Sequence, residues 1–148
     1  MKHTLVIALA IALTAASAHA RVGETLAEIA LRYGAGTKDG VPRLPETERI
    51  NYLKNGFAIE VMFAGGRSVM EVFHRKDKEI TDDDIKELLK VNGEGHSWTL
   101  DSKQNLWMRK DRKIRALREP GHRDFFFIQD MVAVKNTGKV EKAKINAF

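Results

Sequence analysis

Phe57, Ile59, Val61 and Phe63 alternate with Ala58, Glu60 and Met62, and this run lies between Asn55-Gly56 and Gly65-Gly66. A period of two puts the four large residues on one side of an extended strand. Asn-Gly and Gly-Gly are the dipeptides that two-residue hairpin turns demand, because both central residues take positive φ. The strand therefore has antiparallel neighbours at Arg49 to Lys54 and at Arg67 to Arg75, and the three form a meander. Such a meander has a buried face that other elements must cover.

Two helices are expected as well. Leu26, Ile29, Ala30 and Tyr33 fall at helical spacing on one stripe, Thr25 to Glu28 reads as a capping box, and Gly34 ends the element. Residues 34–48, with Pro42 and Pro45, read as a surface loop. The second helix starts at Thr81, with Asp82, Asp83 and Asp84 at the positive end of the dipole and Ile80 stapled to Ile85. Ile85, Leu88 and Leu89 form its buried stripe, and Asn92-Gly93 is expected to stop it. A calcium loop would need ligands at alternate positions, a glycine and a closing glutamate, so the consecutive aspartates read as helix capping.

A second meander follows at His96 to Leu100, Leu106 to Arg109, Lys113 to Arg118 and Arg123 to Val134. Its turns are at Asp101-Ser102, Asp111-Arg112 and Pro120-Gly121. Residues 106–118 admit a helix as the alternative, because Trp107, Ile114 and Leu117 are loosely helically spaced. In Phe125-Phe126-Phe127 successive side chains point to opposite faces, so either both faces are covered or an aromatic is exposed. The expected class is α+β, two helix-then-antiparallel-meander units forming one compact domain over residues 21–136, with a flexible basic tail at 137–148.

The chain opens with Met1-Lys2-His3, an apolar run from Leu5 to Leu13, and Ala18-His19-Ala20. This is the three-part pattern of a cleaved signal peptide over residues 1–20, with cleavage between Ala20 and Arg21. The run is shorter than the roughly 18 to 20 residues a membrane span needs, so no transmembrane segment is expected in the mature chain. The product would be periplasmic or secreted and 128 residues long. With no cysteine in the chain there is no lipid-anchor residue, disulfide, thiol nucleophile or thiolate metal ligand, and stability must come from packing.

No residue reads as catalytic or as a metal ligand, and no cofactor is expected. Gly95-His96-Ser97-Trp98-Thr99 lacks the last glycine of a nucleophile elbow and follows a helix instead of preceding one. Gly34-Ala35-Gly36-Thr37-Lys38 lacks the order of a phosphate loop and closes a helix. His74, His96 and His122 are not at metal-ligand spacing.

Charge is uneven along the chain. Lys103 to Arg123 carries eight bases against Asp111 and Glu119, a net of +6 that exceeds the +4 of the whole mature chain. Arg109, Lys110, Arg112, Lys113, Arg115 and Arg118 form a candidate patch for an anionic partner. The competing reading pairs them with acids elsewhere or leaves them in solvent. Nucleic acid is disfavoured as the polyanion, because the chain carries an export signal and no recognised binding motif.

Residues 23–75, through G-E-T-L-A-E-I-A-L-R-Y-G and Y-L-K-N-G-F-A-I-E-V-M-F-A-G-G-R-S-V-M-E-V-F, resemble the unit shared by small outer-membrane assembly lipoproteins and the β-lactamase inhibitor protein. The whole chain is similar to a group of short exported bacterial proteins with a tryptophan before and after a turn, as Trp98 and Trp107 are here. The lipoproteins' anchoring cysteine is missing. The resemblance implies a binding module, not an enzyme. The functional expectation is an exported, non-enzymatic protein that binds another envelope protein through the open face of a sheet. The alternative is electrostatic attachment to an anionic envelope polymer or lipid through the basic last third.

Overall fold

Asn55 and Gly56 both take the left-handed conformation, with φ of 52° and 76°, and Gly65 and Gly66 do the same at 57° and 78°. These turns connect β1 (Glu48–Lys54), β2 (Phe57–Ala64) and β3 (Arg67–His74) into the expected meander. The computed structural model describes residues 21–45 and 47–137. The expected signal peptide and the part of the expected tail from residue 138 onward lie outside the described residues.

α1 (Leu26–Tyr33) precedes the first meander and α2 (Asp82–Gly93) follows it. Thr25 and Thr81 each cap their helix through a complete capping box, with Glu28 and Asp84 reaching back to the cap N–H at 2.8 and 2.9 Å. β4 (Trp98–Asp101), β5 (Leu106–Arg109), β6 (Ile114–Leu117) and β7 (Phe125–Asp130) form the second meander, so residues 106–118 are a strand pair and not a helix. The seven strands make one antiparallel sheet in the order β1-β2-β3-β7-β6-β5-β4. The class is α+β, with helix-then-strand units joined through a single sheet.

The register defines two faces. Ile50, Val61, Glu71, Ile128, Ala116, Trp107 and Leu100 lie across the sheet on the inner face. Both helices pack there, Ile29 and Tyr33 from α1 and Ile85, Leu88 and Leu89 from α2, in one buried cluster with Phe73, Phe126 and Ile80. Met62, Met70, Gln129, Arg115, Met108 and Thr99 cross the outer face. Leu44, Ala133 and Val134 cover its β2–β3 part, over Met62 and Val72.

Three details differ from the sequence expectation. β7 stops at Asp130 and residues 131–137 are helical, because the Asp130 carboxylate accepts from the N–H groups of Val132 and Ala133 at 2.8 and 2.9 Å and starts a helix. Thr137 is thus a buried helical residue, not the start of a tail. α2 runs through Asn92 and Gly93, and Glu94 takes the left-handed position at φ 48°. Buried Asn92 donates to Leu88 O and accepts from Val22 N–H, so its amide is satisfied inside the helix. β4 starts at Trp98, whose indole N–H donates to Leu89 O at 2.8 Å. As for the Phe125 run, Phe126 is fully buried inward, and Phe125 and Phe127 are half-buried on the outer face.

One polar group is enclosed by this core. Glu71 is fully buried on the inner face, where Tyr33 of α1 donates to Oε2 at 3.2 Å. Oε1, like the hydroxyl of buried Tyr52, has no hydrogen-bond partner among the described residues. Burial pushes the Glu71 carboxyl up to about 8, against the pull of the Tyr33 hydroxyl; Glu24 raises it further and Arg32 lowers it. The acid is therefore protonated in the fold at neutral pH.

Two predictions follow from the core. Val61→Asp buries a carboxylate with no partner on a fully buried position and should cost several kcal/mol in urea melts. Glu60→Ala removes a half-buried partner of Arg43 and Arg49 and should cost only about 1 kcal/mol. Equal losses would mean that the register is wrong. For Glu71, the folded state holds a proton that the unfolded chain releases near the ordinary 4.5, so stability should fall as pH rises from 4.5 to about 8 and then level off. Glu71→Gln should remove that decline, and persistence of the same slope in the variant would assign it to another group.

Candidate functional site

β5 and β6 are four-residue strands, and alternation sends their side chains to opposite faces. Trp107 points inward and meets Phe126 edge-on at 5.6 Å. Leu106, Met108 and Leu117 point outward, are half-buried, and belong to neither packed cluster. Leu117 sits opposite both Leu106 and Phe127, which carries the strip onto β7. There Phe127 stacks near Phe125 at 6.3 Å, and Phe125 lies parallel to His74 at 4.2 Å. His74 Nε2 is 3.1 Å from Asp124 Oδ2. The result is an apolar and aromatic strip along the outer face, from β5 to β3.

Its β3 end is held by Arg43, whose guanidinium lies 6.0 Å from the centroids of both Phe125 and Phe127. Arg43 also forms a two-pronged ion pair with Glu60, at 2.7 and 3.0 Å. The β5 end has no such cover among the described residues.

The six bases of the sequence patch separate into three groups. Arg109 is buried on the inner face and donates to both oxygens of Asp111, at 3.1 and 2.8 Å, to Glu94 at 2.8 Å and to Asn92 O at 2.9 Å. These bonds hold the Asp111 carboxyl down to about 2. Arg118 pairs with Asp82 at 3.3 Å and donates to Ile80 O, tying β6 to the start of α2. Arg109 and Arg118 are therefore consumed inside the fold.

The other four are brought together. Lys110, Arg112 and Lys113 are exposed on the β5–β6 turn, where Arg112 has φ 58°. Arg115 is on the outer face, and with the Gln129 amide oxygen turned towards it, Nε and Nη2 both donate at 2.7 Å. None of the four forms an ion pair with a carboxylate among the described residues. The strip formed by Leu106, Met108 and Leu117 thus borders an uncompensated positive turn.

The remaining sequence candidates have structural positions. Asp82, Asp83 and Asp84 pair with Arg118, Lys86 and Arg75, and Asp84 completes the helix cap. Ser97 is exposed and accepts at its carbonyl from Lys110 N–H. Gly34 closes α1 at φ 91°, and Thr37 bridges to Asn51 of β1. His96 is 4.0 Å from Asp111, whereas His74 and His122 both approach the Phe125 ring. Among the described residues no three His, Asp or Glu side chains are grouped to hold a metal ion. No helix of the described residues is long and apolar enough to cross a membrane.

The outer strip was not named as a site by the sequence. Leu106, Met108 and Leu117 are ordinary strand residues until the register shows that they share a face. No protein-family model, no curated protein and no solved structure matches this chain, so its functional reading stands on the geometry of the outer face and its basic turn.

Proposed function

We propose that the protein is exported and acts without catalysis, binding another protein of the cell envelope through the open part of the outer sheet face. The observation that carries this reading is the strip of half-buried Leu106, Met108 and Leu117, which belongs to neither packed cluster of the described residues. Contiguous apolar surface of this kind, rimmed by polar groups, is characteristic of interaction sites. The β2–β3 part of the same face shows the contrast, since Leu44 and residues of the 131–137 helix pack over it.

Export rests on the N-terminal pattern. The chain is already packed at Val22, which is buried and donates to Asn92 Oδ1 at 3.1 Å, two residues beyond the cleavage point at Ala20. An anionic polymer or lipid is the second reading. It is favoured by Lys110, Arg112, Lys113 and Arg115, whose charges meet no carboxylate among the described residues.

Mass spectrometry of the protein from its host envelope should find Arg21 as the first residue. A full-length cytoplasmic product would refute export. For the surface, a photo-crosslinking phenylalanine analogue at Met108 should yield discrete protein adducts in the envelope that survive raised salt. The same group at Leu31, 88% exposed on α1, should not yield them. Identical adducts at the two positions would remove the face from the reading. Adducts lost at high salt would favour the electrostatic alternative, since screening shortens to about 3 Å at 1 M.

A further inference from the structure

The sheet has two edges, β1 and β4, and they are finished differently. An edge strand presents unpaired N–H and C=O groups that template pairing with another chain unless something covers them. β1 is covered. Residues 34–41 run along it, Thr37 and Asn51 exchange both backbone hydrogen bonds at 2.9 and 2.8 Å, and Asn51 Nδ2 donates to Asp39 O at 3.0 Å. The fit requires glycine at Gly36, where a Cβ would lie 2.5 Å from Ile50 Cγ2 and 2.6 Å from Tyr52 Cε1.

β4 has no such bridge among the described residues. Lys110 N–H donates to Ser97 O, which makes Ser97 and Lys110 a hydrogen-bonded pair. By antiparallel alternation Thr99 and Asp101 then bond to β5, and Trp98 and Leu100 turn their N–H and C=O groups outward. No backbone bond beyond the ladder reaches those two residues among the described residues. Thr99, Leu100 and Asp101 are exposed, and the strand holds no proline, lysine or bulge. Its first residue is anchored to α2, since the Trp98 indole N–H donates to Leu89 O.

We infer that β4 is an open strand-addition edge that takes an extended segment of another protein, apolar at alternate positions and acidic between them. The inference deepens the proposed protein-binding role and rests on it for the class of partner. Strand addition draws affinity from main-chain bonds and specificity from alternate side chains. Leu100, 50% exposed beside half-buried Trp98 and Trp107, offers apolar contact on the inner side. Charge selects the rest. Lys103 lies in the turn at one end of β4, and Lys110 and Arg112 lie at the other, none paired with a carboxylate among the described residues. The strand's own acid, Asp101, is already turned to the Lys103 N–H at 3.0 Å. An entering acidic strand therefore meets Lys103 beside Asp101 at one end, and Lys110 and Arg112 at the other, where the positive charge is concentrated.

The test uses mature protein and a fluorescein-labelled octapeptide of alternating valine and glutamate, followed by anisotropy. This peptide should bind about tenfold more tightly than its valine–lysine counterpart, and about tenfold more tightly than a version N-methylated at each valine. Leu100→Pro removes an outward N–H and should abolish binding, whereas Leu100→Ala keeps it and should weaken binding less. Lys103→Glu with Lys110→Glu, two exposed positions, should reverse the charge preference without changing the melting temperature. Equal affinity for all three peptides, no binding, or wild-type binding by a folded Leu100→Pro would overturn the proposal. So would a concentration-dependent dimer abolished by Leu100→Pro, which would make a second copy the occupant. Loss of peptide binding alongside intact Met108 adducts would leave the protein-binding role standing and remove only the edge.

Discussion

The pairing of β3 with β7 is the contact on which the rest of the architecture depends. Neither meander buries its apolar face alone, and a three-stranded sheet with one short helix offers little core. Setting Phe73 opposite Phe126, and Glu71 opposite Ile128, fuses the two sheets and places α1 and α2 over one continuous cluster. The ties between the helices and the sheet are then specific polar contacts. Arg75 reaches Asp84 at 2.8 Å, Trp98 reaches Leu89 O, and Arg109 reaches Asn92 O.

That junction also explains the position of Glu71. A carboxyl on the interior strand β3, facing Tyr33 of α1, lies between Val61 of β2 and Ile128 of β7 and is kept from water. Isolated in this way it is more stable with its proton on, which sets it apart from Asp111, where the Arg109 guanidinium favours the charge. The two acids therefore influence stability in separate pH ranges. Asp111 contributes above its unfolded value and loses its contribution as pH falls towards about 2, whereas the cost of Glu71 accrues as pH rises from 4.5 to about 8.

The asymmetry between the meanders carries the functional argument. The outer face of the first is roofed by Leu44 and the 131–137 helix, and its edge strand is bridged at Asn51 by Thr37. The β5–β6 part of the outer face and the β4 edge have neither cover among the described residues, and the β5–β6 turn carries bases that meet no acid there. Finishing one half of a sheet and leaving the other open concentrates recognition where backbone, apolar surface and charge coincide.

The residues alone determined what depends on near neighbours. The hairpin turns at Asn55-Gly56 and Gly65-Gly66, the capping boxes at Thr25 and Thr81, and the alternation from Phe57 to Phe63 all act within a few residues, where backbone sterics and local hydrogen bonds leave few alternatives. The same local logic reads the helix start at Asp130 less well, because a strand and a helix both suit the residues that follow. Tertiary structure decided the pairing of β3 with β7, the face on which Leu106, Met108 and Leu117 emerge, and the bridge of Thr37 onto β1. It also divided the basic run, drawing Arg109 to Asp111 and Glu94 and Arg118 to Asp82 while leaving Lys110, Arg112 and Lys113 outside. Those outcomes depend on contacts between residues far apart in the chain, whose selection is a competition among all strands and charges at once and leaves no local trace in the order of residues.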